Sequence, residues 1–266
     1  MLKSYFIDGD KGGVGKSLFT RAFIHYYLSL PEEKRPGLLI VDADCSNPDV
    51  CGKGGFKATD AEPLPKEILW ADLFDLSTED GWIELGDQVG KTLNREPARE
   101  LRMIVSLPAQ IGTRAFDGSI IVVNELLHNT NAIPVWLLSR TLESLTALEY
   151  RCRAMPRRYA IGAAVKNLFF GEADRFDRWD VSALRKSLMR EDGTAWIETT
   201  MPELNSTLTD QIARRPFHKV YAEGYDGEPL ALGAKLALDA WFRTQSKSFA
   251  QIEALTPPDD DAIDEE

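Results

Sequence analysis

Cysteine is scarce. The 266 residues include three, Cys45, Cys51 and Cys152, with no CxxC pair among them. That spacing supports neither a disulfide framework nor a cysteine zinc site, and it suits a reducing compartment. Long apolar runs are also missing. No stretch reaches the ~18 residues that a membrane span needs, and the N-terminus enters a strand-like run without the apolar core of a signal peptide. Positive charge is outnumbered: 31 Lys and Arg stand against 42 Asp and Glu, a formal net charge of −11. Such a chain does not coat nucleic acid by bulk charge, which leaves only a local basic patch for that purpose. A cytoplasmic protein is expected.

What remains is enough for a large core, with 44% of residues hydrophobic. Strand-like and helix-like segments alternate. This predicts an α/β fold, a doubly wound, mostly parallel sheet with helices on both faces. We expect one domain over residues 1–256, a loop or insert at about 52–76, and a disordered acidic tail at 257–266 that ends in "DDDAIDEE".

The densest chemistry lies in "YFIDGDKGGVGKSLFTRAF", residues 5–23. "SYFI" reads as a strand, and a helix follows from Ser17, with Leu18, Ala22, Tyr26 and Leu30 predicted as its apolar face. Strand, glycine-rich turn and helix are the context of a phosphate-binding loop. Gly12, Gly13 and Gly15 let the backbone curl so that its N–H groups, with those of Val14, Lys16, Ser17 and Leu18, point at one centre. Lys16 supplies charge to the β and γ phosphates of a nucleotide, and Ser17 supplies a hydroxyl for Mg²⁺. The pattern GxxxxGK[ST] asks for glycine at position 10, where this chain has Asp10.

"KGGVGKS", with Lys11 ahead of Lys16, resembles the deviant phosphate loop of the ParA/MinD ATPases. The resemblance implies ATP and Mg²⁺ as ligands and a sandwich homodimer formed around nucleotide. Lys16 would act in cis and Lys11 in trans on the partner's phosphates. "GLLIVDADCSNPDV" ends a buried strand in Asp42 and Asp44 and is similar to that family's second motif. By resemblance Asp44 positions the attacking water, and Asp42 and Asp44 with Ser17 serve the metal. "LRMIVSLPAQIG" resembles the third motif, with Ser106 where the family has aspartate, so that either Asp42 and Asp44 carry the metal, or turnover is slow, or the protein binds nucleotide as a switch. Asn167 in "VKNLFFG", and Pro202 with Glu203 in "MPEL", stand where the family frames adenine.

The whole order of motifs looks most like ParA-type proteins of plasmid partition, stability or conjugative mobilisation. Arg151, Arg153, Arg157 and Arg158 in "YRCRAMPRR", and the pair Arg214 and Arg215, are the candidate DNA-binding cations. The acidic, proline-broken C-terminus is unlike a membrane-targeting helix. Two alternatives stay open: a nucleotide switch with little hydrolysis, and a small-molecule ATP-dependent enzyme of the dethiobiotin-synthetase type. Residues 116–129 are predicted helical, and a helix starting with a Ser77–Asp80 capping box is predicted to bury Trp82, Leu85, Val89 and Leu93.

Overall fold

The computed structural model describes residues 1–57, 63–108, 120–155, 159–189, 196–224 and 228–257. Seven parallel strands form one sheet: β1 (Leu2–Asp8), β2 (Gly37–Asp42), β3 (Ile68–Leu73), β4 (Leu101–Ser106), β5 (Ala132–Leu138), β6 (Gly162–Asn167) and β7 (Trp196–Met201). Their order is β3-β2-β4-β1-β5-β6-β7, so the chain winds to one side of β1 and then crosses to the other. The register sets Ile7 beside Ser106 and Asp42 beside Ser106, which places the ends of β1, β4 and β2 level. Ligands of such sheets lie beyond this carboxyl edge, where the winding reverses.

The inner strands are apolar on both faces because both are covered. Successive residues alternate between two cores: Tyr5, Ile7, Leu38 and Ile40 face one, and Phe6, Leu39 and Val41 face the other. The first core is closed by α1 (Lys16–Leu28), α7 (Ser206–Ile212), α8 (Phe217–Glu223) and α9 (Leu232–Glu253). The second is closed by α2 (Glu79–Arg95), α3 (Ile120–Asn129), α4 (Leu142–Ala154) and the short α5 (Asp177–Asp180) and α6 (Ala183–Leu188).

Several expectations change. The loop expected at about 52–76 contains edge strand β3, and Phe56 within it is buried. On α1 the core stripe is Phe19, Phe23 and Tyr27 together with Ala22, while Leu18, Tyr26 and Leu30 lie on its flanks. Phe23 stacks on Phe249 of α9 at 4.7 Å, so the rings fill the space between sheet and helix. Thr78, not Ser77, caps α2, its hydroxyl accepting from the Gly81 amide at 3.2 Å. The Ser77 hydroxyl is instead turned to Asp75 at 2.5 Å. Trp82, Leu85 and Val89 are buried as expected, but Leu93 is exposed, as is Leu142 at the start of α4. Helix α3 bears out the helical expectation from Ile120 onward, and residues 116–119 lie outside the described residues. Among the described residues no helix is long and apolar enough to cross a membrane.

Candidate functional site

A cavity of about 540 Å³ opens at the carboxyl edge of the sheet. Its floor is the turn between β1 and α1. Gly15 ends that turn with φ +98°, in the left-handed region. A Cβ there would lie 2.8 Å from Met201 Cε and 2.9 Å from Asn167 Nδ2, so any other residue must displace those side chains and strain the backbone. Helix α1 then begins with no side-chain cap and no acid in its first turn. Its free amides and positive dipole end therefore face the cavity, an arrangement suited to an anion.

Gly12, Gly13, Gly15, Lys16, Ser17 and Leu18 all reach the wall. Lys16 is buried and donates to the Lys11 carbonyl at 3.0 Å. Burial lowers its pKa, against the pull of Asp8, Asp10 and Asp44. Lys11 is not on this wall: its ammonium lies over the Phe170 ring, 5.5 Å from the centroid. Val14 is buried beneath the turn, its carbonyl accepting from Asn167 Nδ2 at 2.9 Å.

The two acids after β2 have different surroundings. Asp42 is buried, and its oxygens accept the amides of Asp44 (3.2 Å), Val50 (2.8 Å) and Cys51 (3.0 Å). Burial raises its pKa and those hydrogen bonds oppose the rise. It fixes the 43–51 loop and does not line the cavity, whereas Asp44 does. Ser106 is buried on the wall beside Leu107; Ala109 and Gln110 of the same motif lie outside the described residues.

Asn167, Pro202 and Glu203 also line the cavity, Asn167 lying directly against the Gly15 turn. Part of the Asn167 amide is already engaged, since Oδ1 accepts from the Phe169 amide at 3.0 Å and caps the turn at 168–170. Pro202 is anchored through its carbonyl, which accepts from Trp241 Nε1 at 2.8 Å.

The arginine patch is altered. Arg151 turns inward from α4 and pairs with Asp8 at 3.3 Å, both side chains buried. A buried cation requires such a partner, and this one pins the start of the turn instead of offering a DNA surface. Arg153 is exposed and pairs with Glu149 at 2.5 Å; Arg157 and Arg158 lie outside the described residues. Arg214 and Arg215 are paired with Asp49 and Glu223, each at 2.6 Å.

Residues without a sequence signal also line the site: Arg21, Asn47, Asp49, Thr209 and Asp210. Arg21 is buried, donates to the carbonyls of Ser17, Ala213 and Arg215, and has its pKa lowered by burial to about 10. Ala213 and Arg215 are distant in sequence, and local spacing gives no hint of them.

No family model matches the chain. Protein MobD of Acidithiobacillus ferrooxidans is 28% identical over 254 residues, which span 93% of this chain and 96% of MobD. Among solved structures, apo McdA of Cyanthece superposes with a TM-score of 0.50 at 14% identity, over 96% of this chain and 100% of that one. The MinD cell division protein of Aquifex aeolicus gives a TM-score of 0.47 at 16% identity, over 94% and 97%. The McdA likeness is one of fold, and MobD is similar in sequence from end to end. The two-lysine loop stands at the end of the central strand of an all-parallel sheet, the fold is that of apo McdA, and the sequence is similar to MobD along nearly its whole length.

Proposed function

We propose that the chain is a ParA-like ATP-binding protein and ATPase that dimerises around its nucleotide. It would act in plasmid partition, stability or conjugative mobilisation, through DNA or a DNA-bound partner. The observation that carries this is the uncapped start of α1 facing the cavity with Lys16 and Ser17 beside it. Those groups bind and orient a triphosphate. Asp44, on the same wall, orients the attacking water and accepts its proton. Asn167, Pro202 and Glu203, which also line the cavity, hold the base. The likeness to MobD supports the ParA-like role.

Magnesium fits the donors present. It takes few protein oxygens and completes its shell with water and phosphate. Ser17 and Asp44 are such donors, and among the described residues no cluster of three or more metal-ligating side chains competes with them. We assign Mg²⁺ to Ser17 and Asp44, with Asp42 behind them fixing the Asp44 loop. Bound there, it neutralises charge on the phosphates. Lys11, resting on Phe170, is the cation assigned to the partner's phosphates.

Ser106 favours a second reading, a nucleotide switch that hydrolyses little, because a buried neutral hydroxyl replaces the charge of an acid at that wall. Titration with a fluorescent ATP analogue tests the shared core of both. Lys16→Ala is expected to weaken binding by at least about tenfold, the loss of one charge-assisted contact to phosphate. Equal binding by wild type and variant contradicts a phosphate site here. Turnover at saturating ATP then separates ATPase from switch.

A further inference from the structure

The turn between α7 and α8 has a costly shape. Ala213 has φ +44° and ψ −120°, a conformation that a residue with a Cβ adopts only when its surroundings enforce it. Here Arg21 of α1 donates to the Ala213 carbonyl and, at 3.2 Å, to that of Arg215. Arg215 is tied to Glu223 at 2.6 Å. Between these anchors Arg214 extends to the loop after β2. Its Nη2 donates to Asn47 Oδ1 at 2.8 Å, and its Nε lies 2.6 Å from Asp49 Oδ1.

That loop carries Asp44. From the inside, Asp42 holds the amides of Asp44, Val50 and Cys51. Asp44 Oδ1 in turn accepts the amide of Asn47 at 3.0 Å. Arg214 therefore grips, from the outside, the same residue whose amide Asp44 binds. Helix α7 contributes Thr209 and Asp210 to the cavity, while the loop contributes Asp44, Asn47 and Asp49. One guanidinium joins these two walls, by a hydrogen bond to Asn47 and a close ion pair with Asp49.

The geometry points to Arg214 as a positioning residue that braces the 43–51 loop against the α7–α8 turn and so sets Asp44 on the cavity wall. This rests on the role proposed above for Asp44 beside bound nucleotide. Arg214 is half-exposed, so its effect is a matter of several-fold and not of folding.

The test combines amide hydrogen exchange over residues 43–51 with kcat and KM for ATP, in wild type, Arg214→Ala, Arg214→Lys and Asp44→Ala. Arg214→Ala is expected to speed exchange across 43–51 by roughly three- to tenfold while β6 stays unchanged. It should lower kcat by a similar factor and leave KM within about twofold, because the phosphate contacts are intact. Arg214→Lys should recover part of both, retaining Asp49 and losing Asn47. Unchanged exchange in Arg214→Ala overturns the brace. Faster exchange with undiminished kcat, in a protein that Asp44→Ala inactivates, overturns the positioning role. Faster exchange in Arg214→Ala with full turnover in Asp44→Ala upholds the brace and refutes the proposed chemistry of Asp44 instead. The exchange measurement decides the brace whatever the rate of turnover.

Discussion

At Gly15 the backbone turns from loop to helix at φ +98°, with Asn167 and Met201 within 3 Å of where a Cβ would stand. Gly15→Ala therefore incurs both the left-handed penalty, roughly 1–2 kcal/mol, and displacement of the Asn167 side chain that holds the Val14 carbonyl. Urea denaturation should show a loss of at least about 1 kcal/mol, together with loss of nucleotide binding. A variant as stable as wild type that binds nucleotide would contradict the fit described. This loop was legible in the sequence because its parts are consecutive: the glycines, Lys16 and Ser17 act within one turn. The split between Asp42 and Asp44 was not legible, since identical side chains two residues apart differ only in what surrounds them. Arg21 was invisible for a related reason, as its carbonyl partners at Ala213 and Arg215 lie 192 and 194 residues away.

Among the elements, α1 shows how a correct assignment can carry a rotated face. A four-residue period ran equally well through Leu18, Ala22 and Tyr26 or through Phe19, Phe23 and Tyr27. The larger rings took the space against Phe249. Strand β3 is not legible in the sequence because it is an edge strand with polar Asp72 and half-exposed positions, so it lacks the continuous apolar run of the inner strands. The same helix α1 carries a titratable group in an aromatic setting. His25 lies 5.8 Å from Phe217, 5.2 Å from Tyr221 and 4.6 Å from Phe242, measured between ring centres. Burial, aided by nearby His218, lowers its pKa from 6.5 to about 4. A lowered histidine means that the unfolded chain takes up the proton first. The stability it contributes is thus complete above pH ~6.5 and is lost as pH falls toward ~4. Between pH 7 and pH 5 this amounts to on the order of 2 kcal/mol. Chemical denaturation at both pH values should show that difference shrink in His25→Phe; an unchanged difference would assign the acid sensitivity elsewhere.

Across the whole molecule, the sheet has a working end and a structural end. At the strands' beginnings, Glu253 of α9 accepts from Arg102 at 2.9 and 2.8 Å and from the hydroxyls of Tyr5 and Tyr27, while its carbonyl accepts from Lys3. Burial works to raise the Glu253 carboxyl, and the bonds from Arg102 and the two phenols outweigh it and leave its pKa lowered. One residue thus joins β1, β4, α1 and the end of α9. Glu253→Ala leaves Arg102 and two phenols without their acceptor. It should cost on the order of 2–3 kcal/mol in thermal or urea denaturation and leave nucleotide affinity in the folded protein unchanged. A loss of affinity at constant stability would show that the two ends are not separate. At the carboxyl edge the whole molecule is read differently, since Lys16 lines the cavity and Lys11 does not. The most direct test of the account is the mass in solution, by light scattering, with ATP, with ADP and without nucleotide, for wild type and Lys11→Ala. The account predicts that ATP alone doubles the mass of wild type, and that Lys11→Ala either weakens that dimer or forms one unable to turn over. A wild-type mass indifferent to ATP, or a Lys11→Ala protein that assembles and hydrolyses as wild type does, would contradict it.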